Sequence, residues 1–95
     1  MMELMTLKQV SEYLTLSRST IYRLIAAREF DDEIKAGRKD ASDAPKAIRR
    51  LLGMNFPKKY LLSVRSVRFN KEEIYEWARM KWAIEAEAKN SKNQT

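Results

Sequence analysis

From Ser17 to Arg23 the chain reads Ser-Arg-Ser-Thr-Ile-Tyr-Arg, which gathers hydroxyls, a phenol and two guanidinium groups in one short tract. These groups suit recognition of a polyanion. A guanidinium can hold both acceptors of a guanine edge, and hydroxyls reach bases or phosphates. If the tract is helical with Ile21, Leu24 and Ile25 turned inward, the opposite side presents Ser19, Tyr22, Arg23 and Ala26. Arg23 then has the geometry for a bidentate contact to guanine, Ser19 and Tyr22 for bonds to bases or phosphates, and small Ala26 lets the backbone approach. Ser17, Arg18 and Thr20, beside the free amides of the helix start, suit phosphate.

A second tract has the same chemistry. Residues 56–69 hold Lys58, Lys59, Arg65 and Arg68 and no acid, and Leu16 to Arg28 is also free of acids. Over its 95 residues the chain carries 19 Lys+Arg against 13 Asp+Glu, a net charge of +6, so these stretches concentrate the excess. Two such patches imply a polyanionic partner. Neither His nor Cys occurs, which removes zinc ligation, thiol nucleophiles, imidazole catalysis and disulfides. The reading is therefore of a binding protein: no enzyme, no catalytic residue, no metal and no cofactor. Asp31, Asp32 and Glu33 are consecutive and point in different directions, so they read as a solvated turn and not as a cation site.

The elements that must position these residues follow from spacing. Thr6 and Gln9 form a capping box before Leu7, Val10, Tyr13 and Leu14, predicting a helix over 7–14. Ser17 caps a second helix reaching about Arg28, and Leu16 between the two drops into their crossing, which is a helix-turn-helix. Residues 31–55 read as a loop followed by a short helix from Pro45 through Ile48, Leu51 and Leu52, stopped by Gly53, with Lys46, Arg49 and Arg50 outward as additional contacts. Tyr60–Leu62 and Val67–Phe69 form a hairpin whose tip, Ser63 to Ser66, carries Arg65; with Lys58, Lys59, Ser66 and Arg68 it reaches phosphates or the minor groove as a wing does. Asn70 and Glu73 cap a last helix with the stripe Ile74, Trp77, Ala78 and Ile84, expected to reach Ala88 and to leave a flexible tail at 90–95. Trp77 and Tyr13 are assigned to the core, and Tyr75 and Trp82 to packing against the short helix around Ile48 and Leu52. The expected whole is one domain, residues 1–89, mainly α with a small β-hairpin.

Leu7 to Phe30 (LKQVSEYLTLSRSTIYRLIAAREF) is similar to the helix-turn-helix of AlpA-type phage regulators, within the wider group of MerR-like winged-helix proteins and excisionases. Phe56-Pro57, SVRF at 66–69 and EIYEW at 73–77 resemble that family's wing and last helix. The resemblance implies a winged helix-turn-helix that binds double-stranded DNA and regulates transcription of phage or mobile-element genes, in several copies on repeated sites. Excisionase and small-terminase roles are the alternatives, and a protein-binding adaptor is the alternative of another class. Integrase or RNA polymerase are the implied protein partners. Two departures stand out: residues 31–55 look inserted between recognition helix and wing, and the hairpin tip lacks the usual Gly. The longest uncharged stretch, Leu51 to Pro57, is far too short to span a bilayer, so no membrane is involved and the cytoplasm is the expected location.

Overall fold

A computed structural model describes residues 3–80. Strand β1 (Leu4–Thr6) leads into helix α1 (Leu7–Leu14) and then α2 (Arg18–Lys35). A 3-10 turn at Ala41–Asp43 and the short helix α3 (Lys46–Arg49) follow, then the hairpin β2 (Tyr60–Ser63) and β3 (Ser66–Asn70). Helix α4 occupies residues 71–80. The fold is mainly helical, with a three-stranded antiparallel sheet in the order β1-β3-β2. The expected reach of the last helix to Ala88, the tail, and Ile84 and Trp82 lie outside the described residues.

Local chemistry sets the helix starts. Thr6 accepts from the Gln9 amide at 3.1 Å while the Gln9 side chain takes the Thr6 amide at 2.8 Å, the reciprocal capping box expected for α1. Ser17 Oγ accepts from the Thr20 amide at 3.2 Å to open α2. Asn70 Oδ1 accepts from the Glu73 amide at 3.1 Å to open α4, so the sheet's last residue is also a helix cap.

The tight link between α1 and α2 is made by Thr15 in a left-handed conformation, φ 53°. The Leu16 amide then donates back to Ser11 at 3.1 Å, and Ser11 Oγ donates to the Leu16 carbonyl at 2.5 Å. Leu16 thereby packs on the core, half-buried, as its place in the turn requires. A β-branched residue is strained at positive φ, by roughly 1–2 kcal/mol relative to a right-handed conformation. Thr15→Gly is therefore expected to raise stability by about 1 kcal/mol, read as a higher urea midpoint with an unchanged slope. A fall in midpoint would show that Thr15 is held there without strain.

Helix α2 runs further than its sequence reading. It continues through Asp31, Asp32 and Glu33 to Lys35, so these acids belong to a helix and not to a turn. The reason is a second apolar stripe: Ala27 and Phe30 are buried, with half-buried Ile34 beside them, in a small cluster with Ala44 and Ile48 that Leu51 and Leu52 flank. Gly37, at φ +77°, ends the helix. Its amide donates to Ile34 and the Arg38 amide to Glu33, each at 3.0 Å, which closes a Schellman motif. The short third helix is also smaller than expected, with Leu51 and Leu52 in the turn after α3 and Gly53 at φ +82° beyond them.

The main core joins Val10 and Leu14 of α1, Ile21, Leu24 and Ile25 of α2, Phe56, Phe69 of β3, and Ile74, Trp77 and Ala78 of α4. Phe56 meets Trp77 edge-on at 4.9 Å and Phe69 at 5.9 Å, geometry that aromatic quadrupoles favour. Trp77 is buried as expected and its indole N–H reaches the Met54 carbonyl at 2.8 Å. Two aromatic assignments are corrected. Tyr13 is 38% exposed, and its ring lies 4.7 Å from that of Tyr75, so the two tyrosines pack on each other at the rim. Tyr75 therefore does not pack against the short helix. The third strand is a further difference: Met5 pairs with Phe69 and is buried, which places β3 in the centre of the sheet.

Candidate nucleic-acid interface

The first turns of α2 have one face in the core and one in solvent. Ile21, Leu24 and Ile25 are buried, whereas Ser17, Arg18, Ser19, Tyr22, Arg23 and Ala26 are exposed and Thr20 is half-buried. Tyr22 is 57% exposed, a large fraction for an aromatic ring. Ser17 Oγ lies 2.9 Å from Thr20 Oγ1, so both hydroxyls belong to the cap that frames the helix start. No side-chain partner holds Arg18, Ser19, Tyr22 or Arg23 among the described residues, and the face they form is not covered by the rest of that structure. Arg28 is different. It is turned sideways, donating to the Phe56 carbonyl at 2.9 Å and approaching Asp32 at 3.5 Å, and so ties α2 to the segment before the wing.

The wing cations divide into two groups. Lys59 pairs with Glu29 at 3.1 Å and Lys58 lies 3.9 Å from Asp32, so both are engaged by the second half of α2. The acid-free tract of the sequence is thus placed beside acids from elsewhere in the chain. Arg65 is exposed at the hairpin tip, while Ser66 and Arg68 are half-buried on β3. Arg68 donates to the Val67 carbonyl at 2.9 Å. The tip closes without glycine: Ser63 pairs with Ser66, and neither Val64 nor Arg65 has a positive φ. A register shift between Leu61 and Ser63 makes Leu62 the extra residue of a bulge, and its added twist compensates for the absence of a primed turn. Lys46, Arg49 and Arg50 are exposed around α3, with Arg49 also donating to the Ala44 carbonyl at 3.1 Å.

The acids of α2 are all committed to structure. Asp31 accepts from the Gly53 amide at 2.7 Å, Asp32 faces Arg28 and Lys58, and Glu33 bonds Arg38. The Arg38 hydrogen bond holds the Glu33 carboxyl below its ordinary pKa and raises that of Arg38. On the wing, the charge of Glu73 raises the pKa of the Tyr60 phenol, whose hydroxyl is 3.3 Å from that carboxylate. Helix α2 is therefore electrostatically divided, with basic residues on its first turns and acids on its last.

One feature of the wing was not singled out by charge or motif. Leu61 and Leu62 are 61% and 60% exposed, and Val64 is 96% exposed. The run Tyr60-Leu-Leu-Ser-Val64 contains no charge, and that is the sequence signal for it.

Comparison with known proteins agrees with the arrangement of these elements. The family described as prophage CP4-57 regulatory protein (AlpA) matches residues 3–41 and 47–82. The match takes in the helix-turn-helix, the wing and the described part of α4, and is interrupted at residues 42–46, between the end of α2 and α3. No curated protein and no solved structure gave a significant match. With two helices crossing at a pinned turn, a wing, a capped fourth helix and a match over most of its length, the chain belongs to the AlpA family of prophage regulatory proteins.

Proposed function

We propose that the chain binds double-stranded DNA in a sequence-specific way and regulates transcription of phage or mobile-element genes. The observation that carries this reading is the uncovered outer face of α2, where Ser19, Tyr22 and Arg23 stand exposed opposite buried Ile21, Leu24 and Ile25. A helix held from behind by its core face and free in front is the element that enters the major groove in a helix-turn-helix. Arg23, Ser19 and Tyr22 read base edges, and Ser17, Arg18 and Thr20 at the capped helix start meet phosphate. Arg65 at the tip and Arg68 on β3 hold the flanking backbone. Lys58 and Lys59 act mainly through Asp32 and Glu29, positioning the base of the wing, and Lys46, Arg49 and Arg50 add long-range positive potential.

Selection of bound sequences from a random duplex pool tests the reading directly, with a defined motif as the expected outcome and no enrichment as the refutation. If about six phosphates are contacted, affinity falls with salt at a log-log slope of about −5. Titration between low and moderate salt checks this, and a flat response would contradict an electrostatic interface. The genomic position of the selected motif separates the roles. Sites at a promoter support regulation, with RNA polymerase as the neighbouring protein. Sites beside an attachment site point to excision with integrase.

A further inference from the structure

Two apolar surfaces remain open among the described residues, and they differ. The first is the edge strand β2. The order β1-β3-β2 leaves one side of β2 unpaired, and Leu61 and Leu62 are about three-fifths exposed. Leu61 stands opposite Val67, two residues before Phe69, so it lies on the core-facing side of the sheet, where the hairpin overhangs the core and leaves it uncovered. Edge strands of monomers are usually blunted by charge or proline, and residues 60–64 contain neither. The second surface is an open groove of about 1170 Å³ between the second half of α2, the segment 53–58 and α4. Met54, Trp77 and Met80 contribute apolar surface to it, with Met80 64% exposed, and Glu72 and Glu76 line its α4 side. On the other side, Arg28 and Lys58 face Asp32.

We propose that β2 of one copy docks in this groove on the next copy, joining copies head to tail. An exposed apolar strip and an open apolar floor on one molecule are each larger liabilities than scattered surface residues, and each removes the other from water on association. Charge selects this pairing. The wing tract 56–69 is basic and without acids, whereas the α4 wall presents Glu72 and Glu76. Wing against wing would oppose like charges, and so would wall against wall. Because wing and groove are different surfaces, the contact is heterologous and repeats along an array. The tip with Arg65 lies beyond β2 and remains free for a duplex.

The test uses the full chain and three variants, by sedimentation without DNA and by binding to duplexes with one or two tandem selected sites. Wild type is expected to associate with rising concentration and to fill two sites with about tenfold coupling. Leu62→Glu and Met80→Glu, both at exposed positions, each give a monomer that fills sites independently with unchanged single-site affinity. Adding Leu62→Lys to Met80→Glu restores association. A monomeric wild type overturns the proposal. Sensitivity to Leu62→Glu alone means that wing meets wing, and sensitivity to Met80→Glu alone means that another segment fills the groove; either result overturns it. The sedimentation arm needs no DNA, so its failure is distinct from failure of the DNA-binding reading.

Discussion

Arg23→Ala is expected to relax sequence preference at one base pair and to cost about 1–3 kcal/mol on the preferred site, with little loss on random duplex. Arg23 is exposed on the outer face of α2 and has no side-chain partner among the described residues, so its removal leaves the fold unchanged and the loss belongs to binding. A bidentate guanidinium contact discriminates because the wrong base leaves one donor unpaired in a desolvated groove. Arg65→Ala, at the wing tip, is expected to weaken all sequences alike and to flatten the salt slope by about one unit. Competition binding with the selected site, single-base variants and random duplex separates the two behaviours. An equal loss on every sequence for Arg23→Ala would show that another side chain reads the bases.

Phe56→Ala is expected to cost about 3–5 kcal/mol of folding stability. Phe56 is 1% exposed and meets both Phe69 and Trp77 edge-on, so truncation opens a cavity among three aromatic rings. Its carbonyl also receives Arg28, which fixes the segment 53–58 to α2. A loss of that size is a large fraction of the roughly 5–15 kcal/mol that stabilises a small domain. Urea unfolding followed by tryptophan fluorescence measures it, with a shift in midpoint at nearly constant slope as the expected form. A cost below about 1 kcal/mol would mean that neighbouring side chains collapse into the space.

Short-range signals were the legible ones. The capping residues Thr6, Ser17 and Asn70 each hold the amide that spacing assigned to them, because a cap depends on residues three apart and little else. The alternation at Val67-Arg68-Phe69 likewise marked β3, and Phe69 is fully buried. The length of α2 was misread because Asp31, Asp32 and Glu33 outweighed the stripe Ala27, Phe30, Ile34, whose partners Ala44 and Ile48 arrive from the following segment. Strand β1 was missed because three residues carry no periodicity of their own; its pairing with β3 spans most of the domain. Tyr13 and Tyr75 share the same limit, since each lies on an amphipathic helix and only the relative placement of α1 and α4 brings them together at the rim.

The sequence alone determined the helix-turn-helix, the hairpin, the basic character and the side of α2 that bears Ser19, Tyr22 and Arg23, since helical phase and capping act within a few residues. Tertiary structure alone decided that this side stays uncovered, that Lys58 and Lys59 are engaged by Asp32 and Glu29, and that an apolar edge strand and an apolar groove are both left open. Charge pairing and burial depend on distance in space, and residues far apart in the chain acquire that distance only when the core has formed.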